Sequence, residues 1–218
     1  MTHIDFLIAT SNKGKVREFQ KLLDELALHT LRLRTLADHP HIPEPEETGR
    51  TFAENARIKA RFYAQAMNMI ALADDSGLVV DALGGAPGIH SARYGGAGLT
   101  DAERTNLLLA NLEGVNENSR QARFICSIAV FDPLSGTAQT FTGMCAGSIA
   151  FAPSGGGGFG YDPVFVPDDY HETFAELPPE IKNRISHRAQ ALRAASDYLT
   201  SIAKGDASDR VKGLSNAT

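Results

Sequence analysis

The chain has 218 residues, 43% of them apolar and 22% charged, and carries a formal net charge of −5 at pH 7. That length and balance suit one sizeable soluble domain with a full core, and the acidic balance argues against a general nucleic-acid binder, which carries a basic surface. No run approaches the ~20 apolar residues of a membrane helix.

The opening "MTHIDFLIAT" lacks the basic flank of a signal peptide, so His3 to Thr10 reads as a buried strand before the turn "SNKGK". Val16, Phe19, Leu22, Leu23 and Leu26 form a helical stripe, and a second strand is expected near Leu28 to Leu36. "HPHIPEPEETGR" holds three prolines and the acids Glu44, Glu46 and Glu47, the composition of a solvated loop. Thr51 to Glu54 fits a capping box, each residue satisfying the other's backbone donor, and opens a helix to about Met67. An apolar strand follows, Met69 to Ala73, ending at "DDSG". Thr100 to Glu103 repeats the box before "RTNLLLANLEG", with Gly114 as the stop.

Gln121 to Asp132 and Thr137 to Ile149 read as a hairpin around "DPLSG". "APSGGGGFGYDP" is a flexible loop into a strand at Val164 to Val166, and Pro178-Pro179 opens a helical region reaching about Lys204. Residues 1–204 are expected to form a single domain, with 205–218 a disordered tail and Cys126 and Cys145 buried free thiols of a reducing cytosol. Strands and helices interleave around a central hairpin, which predicts an α/β fold with a mixed central β-sheet flanked by helices.

Five segments carry chemistry. "ATSNKGK" joins a strand to a helix, so its backbone N–H groups and the helix dipole make an anion site reinforced by Lys13 and Lys15. It is not a Walker A loop, because Ala9 replaces the first glycine and Val16 follows the lysine; the plain alternative is a polar turn. Phe52, Asn55, Ala56, Lys59 and Tyr63 share one helix face, so Lys59 either snorkels to water or points with Asn55 into a polar cleft. Asp74 and Asp75 face opposite sides if the strand persists and can approach one ion only if it ends. With Glu46 and Glu47 they suit a hard divalent cation, although "DDSG" also reads as an Asx turn.

In "GGGGFGYDP", Phe159 and Tyr161 beside Asp162 suit the face and edge of a nucleobase, or else form a glycine-rich hairpin with a core aromatic. In "EIKNRISHRAQAL", Lys182, His187 and Arg188 make a solvated basic face, unless Ser186 caps a new turn and brings His187 and Arg188 to a helix start. One hypothesis uses all five segments: a polyphosphate on Ser11, Asn12, Lys15, Lys59 and Lys182, a metal on the acids, and a base stacked on Phe159.

"TSNKGK", "EETGRTFAENARIKA", "ADDSGLVVDALGGAPGIHSARYGG", "GGFGYDPVF" and "ISHRAQAL" together resemble the inosine triphosphate pyrophosphatase family, the Ham1-like dITP/XTP pyrophosphatases, from about Ile8 to Leu192. The resemblance implies a Maf/Ham1-like fold of two lobes with the active site in a cleft between them. It also implies a cytoplasmic homodimer that hydrolyses ITP, dITP and XTP to the monophosphate and pyrophosphate with Mg²⁺ (or Mn²⁺). By position, Thr10, Ser11, Asn12, Lys13, Gly14 and Lys15 match the triphosphate loop, and Lys59 a phosphate-contacting lysine that Asn55 accompanies on its helix. Glu47 and Asp75 match metal-associated acids, with Asp74 a further metal candidate; Asp75 also matches the general base, beside Ser76 at the substrate. Phe159, Gly160, Tyr161, Asp162, Lys182, His187 and Arg188 match substrate- and base-binding residues. The competing readings are a Maf-type pyrophosphatase acting on pyrimidine or modified nucleotides, and a purine-nucleotide sensor without turnover. Neither membrane nor nucleic acid is expected as a partner.

Overall fold

The apolar patterns close into six strands and six helices across residues 4–25, 30–39 and 41–204, which the computed structural model describes. In chain order they are β1 (Ile4–Ile8), α1 (Lys13–Glu25), β2 (Leu31–Thr35), α2 (Phe52–Met67), β3 (Ile70–Val80) and α3 (Asp101–Asn111). Then follow β4 (Gln121–Asp132), β5 (Thr137–Ile149), β6 (Phe165–Pro167), α4 (Pro179–Ile185), α5 (His187–Ala194) and α6 (Ser196–Lys204). The strands make one sheet in the order β2-β1-β3-β4-β5-β6. Strand β1 runs parallel to β2 and to β3, whereas β5 and β6 are antiparallel, so the sheet is mixed, as the hairpin predicted. The expected tail, 205–218, lies outside the described residues.

The described residues divide into two compact units: those within 4–75, 127–142 and 191–204 in the first, 76–126 and 143–190 in the second. In the first unit, β1 buries Phe6, Leu7 and Ile8 completely, as an interior parallel strand does. Helix α2 enters its core through Ala56, Ala60 and Ala64, which cluster with Ala9, Ala71, Ala73 and Ala129. In the second unit the core is larger-grained: Leu108 of α3 and Leu112, the residue just past its end, cluster with Phe124, Phe165, Phe174 and Tyr161. Phe124 and Phe165 meet edge to face, 4.7 Å between centroids.

Two local expectations are corrected. Strand β3 does not end at Ala73; it continues through Asp74 and Asp75 to Val80, with every residue buried except Ser76, which is half-buried. Burial of Leu78, Val79 and Val80 outweighs the turn tendency of Asp-Asp-Ser-Gly. At α2, Thr51 Oγ1 accepts from Glu54 N, but Glu54 Oε2 accepts from Arg50 N rather than Thr51 N, so one arm of the box is displaced by a residue. At α3 both arms form between Thr100 and Glu103. Ser186 N-caps α5, its Oγ accepting from Ala189 N at 3.2 Å.

Candidate active site

Because β3 persists, its alternation sends the paired acids to different helices. Asp74, fully buried, pairs with Lys15 of α1 at 2.8 Å. Asp75 turns to α2, accepting from Asn55 Nδ2 at 3.1 Å and lying 3.4 Å from Lys59 Nζ. Lys59 also reaches Glu47 at 2.8 Å. Asn55, buried, completes the link by accepting from Gly49 N at 2.8 Å, which ties the proline-rich loop to the acid. A Cβ on Gly49 would stand 2.6 Å from that amide oxygen, so the loop passes here only as glycine. The alanine face of α2 lets its backbone approach the sheet, and Asn55 and Lys59, one turn apart, reach the strand from it.

The electrostatics follow from that enclosure. Burial, ahead of every other influence, raises Asp75 above the usual carboxylate range, and Glu47 adds to it, while Lys59 and Asn55 oppose it. Burial works against the charge of Lys59, but Asp75, Asp74 and Glu47 together outweigh it and raise the ammonium, which therefore stays protonated. Asp75 thus keeps a raised proton affinity even beside a cation, the state a general base uses.

In the loop from Thr10 to Lys15, Asn12 Oδ1 accepts from Gly14 N and Lys15 N, at 2.8 and 3.1 Å, and so caps α1 itself. Two of the N–H groups expected to meet an anion thus have a side-chain partner. Thr10 Oγ1 accepts from Asn12 N, Ser11 Oγ donates to Glu44, and Lys13 is exposed.

The second unit gathers the remaining candidates. Phe159, half-buried, lies beneath two cations: Lys182 Nζ at 5.1 Å from its ring centroid and Arg188 Cζ at 5.6 Å. Asp162 Oδ2 accepts from Lys182 Nζ and from Phe159 N, each at 2.7 Å. Arg188 is 2% exposed and donates to Ser76 Oγ at 3.2 Å. Buried lysine and arginine are rare in a fold and are concentrated at sites that use the charge. The His187 ring stacks on Phe124, 4.7 Å between centroids and 11° between planes, within the aromatic core. Tyr161 is buried, and its hydroxyl donates to Ser91 O at 2.9 Å.

Ser91 also receives Leu78 N and donates to Gly88 O, which makes "GIHSARYGG" a scaffold under Tyr161. Tyr94 accepts from Asn111 Nδ2 at 2.7 Å and packs on the second core, while Arg93 is exposed. Neither Ser91 nor Asn12 as a cap stood out from sequence; "TSN" before a helix is the signal that could have found the second.

A hard cation fits the first cluster by donor chemistry. Among the described residues no group of three metal-ligating side chains forms an all-protein cage. Mg²⁺ requires none, since one or two carboxylates with phosphates and waters suffice. Glu47 and Asp75, already bridged by one ammonium, are such a pair, whereas the Asp74 carboxylate is directed to Lys15.

A model of the Ham1 family matches residues 6–198. Relatives include the dITP/XTP pyrophosphatases of Listeria monocytogenes, 49% identical over 196 residues (90% of this chain, 95% of that one), and Geobacillus kaustophilus, 49% over 201 residues (92% and 97%). Among solved structures, a HAM1 protein from Coxiella burnetii superposes with a TM-score of 0.81 at 42% identity, covering 91% of this chain and 99% of that one. The nucleoside-triphosphatase / dITP/XTP pyrophosphatase of Mycobacterium abscessus gives 0.72 at 42% identity, covering 88% and 97%. With the match spanning nearly every element described above, the chain belongs to the Ham1 family.

Proposed function

We propose that the protein hydrolyses ITP, dITP and XTP to the nucleoside monophosphate and pyrophosphate, with Mg²⁺ (or Mn²⁺), and so cleanses the nucleotide pool. Family membership makes the chain a nucleoside-triphosphate pyrophosphatase, a hydrolase of acid anhydrides. The observation that carries the choice of base is the aromatic platform of Phe159 under Lys182 and Arg188.

Hypoxanthine and xanthine present an acceptor at position 6 and an N1–H donor, and adenine reverses both. Donors on Lys182 and Arg188 meet the 6-oxo group, and adenine would leave such donors unmatched, a loss that reaches ~10⁴-fold. In the reaction, water attacks the α-phosphorus and pyrophosphate departs. Asp75 accepts the water's proton, for which its raised pKa suits it. Lys59 and Lys15 hold phosphate oxygens and stabilise the charge that develops on the leaving group. Glu47 and Asp75 are the residues that would hold the cation, which when bound neutralises phosphate charge. Without it, three carboxylates in the first cluster would repel a polyanion that two lysines alone must attract. The resemblance further supports a cytoplasmic homodimer, which light scattering on the purified protein tests.

The deciding measurement is pyrophosphate release from ITP, XTP, GTP, ATP, dTTP and UTP, with and without Mg²⁺. ITP and XTP should turn over only with the cation, and ATP at most at ~10⁻³ of their efficiency. Equal turnover of UTP, or orthophosphate as the product, would overturn the reading.

A further inference from the structure

We infer that Asp101 and Thr105, on the first turns of α3, are positioning residues for Phe159 and set the affinity for the nucleotide. This rests on Phe159 being the platform for the base. The segment around it is nearly all glycine, with left-handed φ of 83°, 73° and 62° at Gly155, Gly158 and Gly160. A glycine backbone loses the most conformational entropy when it is fixed, so the platform stays in place only where its neighbours are tied. On the N-terminal side Asp162 Oδ2 accepts from Phe159 N, and Ala175 O accepts from Gly157 N at 3.0 Å. On the C-terminal side the tie comes from α3. Asp101 Oδ2 accepts from Gly160 N at 2.9 Å, and Thr105 Oγ1 donates to Gly160 O at 3.4 Å.

The two residues are four apart, on one face of the helix. The capping box between Thr100 and Glu103 fixes the turn they stand on, and Arg104 binds it to Ala92 O and Leu99 O. Asp101's side chain is 60% exposed, so its truncation opens no cavity. That exposure separates a positioning role from a packing role. Asp101 also stands where a carboxylate favours the helix dipole. An amide keeps one acceptor oxygen for Gly160 N while losing the charge and the 4.0 Å ion pair with Arg104, so Asp101→Asn distinguishes the hydrogen bond from the charge.

The test measures KM and kcat on ITP, with thermal melting, for the wild type and for Asp101→Ala, Asp101→Asn and Thr105→Val. A lost hydrogen bond of this kind corresponds to an effect on the order of three- to tenfold. Asp101→Ala should therefore raise KM about five- to tenfold with kcat within about twofold; Asp101→Asn should restore KM to within about twofold, and Thr105→Val should raise it about threefold. The inference is overturned if Asp101→Ala leaves KM within about twofold. It is equally overturned if Asp101→Asn is as impaired as Asp101→Ala, or if kcat and melting temperature fall together at constant KM. A wild type that releases no pyrophosphate from ITP would remove the proposed function as well; a wild type that does, with unchanged KM in Asp101→Ala, removes the positioning role alone.

Discussion

The two units bury charge with opposite balance. In the first, Glu47, Asp74 and Asp75 face Lys15 and Lys59; in the second, Lys182 pairs with Asp162 and Arg188 with the neutral Ser76 Oγ. Burial first, and Glu47 after it, raise the proton affinity of Asp75, and the surplus of acid suits the cation and the hydrolytic role proposed for this cluster. A surplus of cation around an aromatic ring offers donors to neutral acceptors such as a purine carbonyl, which is the setting for selection. Under the proposed function, chemistry and recognition fall to separate sets of side chains, and substitutions should split kcat from KM accordingly.

The largest effect should come from Asp75→Asn, an isosteric change that removes the proposed base and one of the two carboxylates proposed to hold the cation. We expect kcat on ITP to fall by ~10³-fold or more with KM within about threefold. The melting temperature should hold or rise, because a carboxylate whose ionised form burial disfavours is replaced by a neutral amide. In the wild type kcat/KM should fall on the acid side as Asp75 of the free enzyme protonates, with the midpoint above the usual carboxylate range. Stopped assays across pH on both proteins check all of this; retained turnover in Asp75→Asn would break the comparison.

In the second unit, Gly158→Ala is the sharper probe. Its Cβ would stand 2.0 Å from Asp162 Oδ2 at a φ of +73°, so the carboxylate that holds Lys182 and the Phe159 backbone must move. KM for ITP should rise at least about tenfold, with kcat on saturating ITP reduced far less than in Asp75→Asn. Titrating ITP against this variant checks the split, and an unchanged KM would contradict it.

The smallest effect concerns stability alone. Asp5 on β1 accepts from Arg32 at 2.5 and 2.7 Å and from Arg34 at 3.2 Å on β2, and Arg32 first among them lowers its carboxyl to about 2. The contribution is present above 3.8, the ordinary value, and is lost as pH falls through about 2. The group is exposed, so the effect is modest and salt-screened. Asp5→Asn should flatten the melting temperature against pH in that window and leave activity at neutral pH unchanged.

Sequence periodicity located α2 and the β4–β5 hairpin residue by residue, because an amphipathic stripe and a turn are local signals. It placed the end of β3 at Ala73 because Asp-Asp-Ser-Gly has the local chemistry of a turn, and only the tertiary burial of Leu78 to Val80 carries the strand onward. Spacing put Asn55 and Lys59 on one face, and the structure sets both at Asp75. The partnership of Asp74 with Lys15 was not legible, since it joins a strand to a helix distant in sequence. Nor was the grip of Asp101 on Gly160, because its target is a backbone N–H and leaves no residue signature.

The alanine seam of α2 bears on temperature. Alanine has no side-chain rotamers to lose or exchange, so where Ala56, Ala60 and Ala64 cluster with Ala71 and Ala73 the seam is made of backbone and methyl groups. Larger side chains would let that gap breathe as their rotamer populations shift on warming. Here the spacing of the two backbones from which Lys59 and Asp75 project rests on a seam that contributes no rotamer freedom of its own, an athermal ruler under the proposed base.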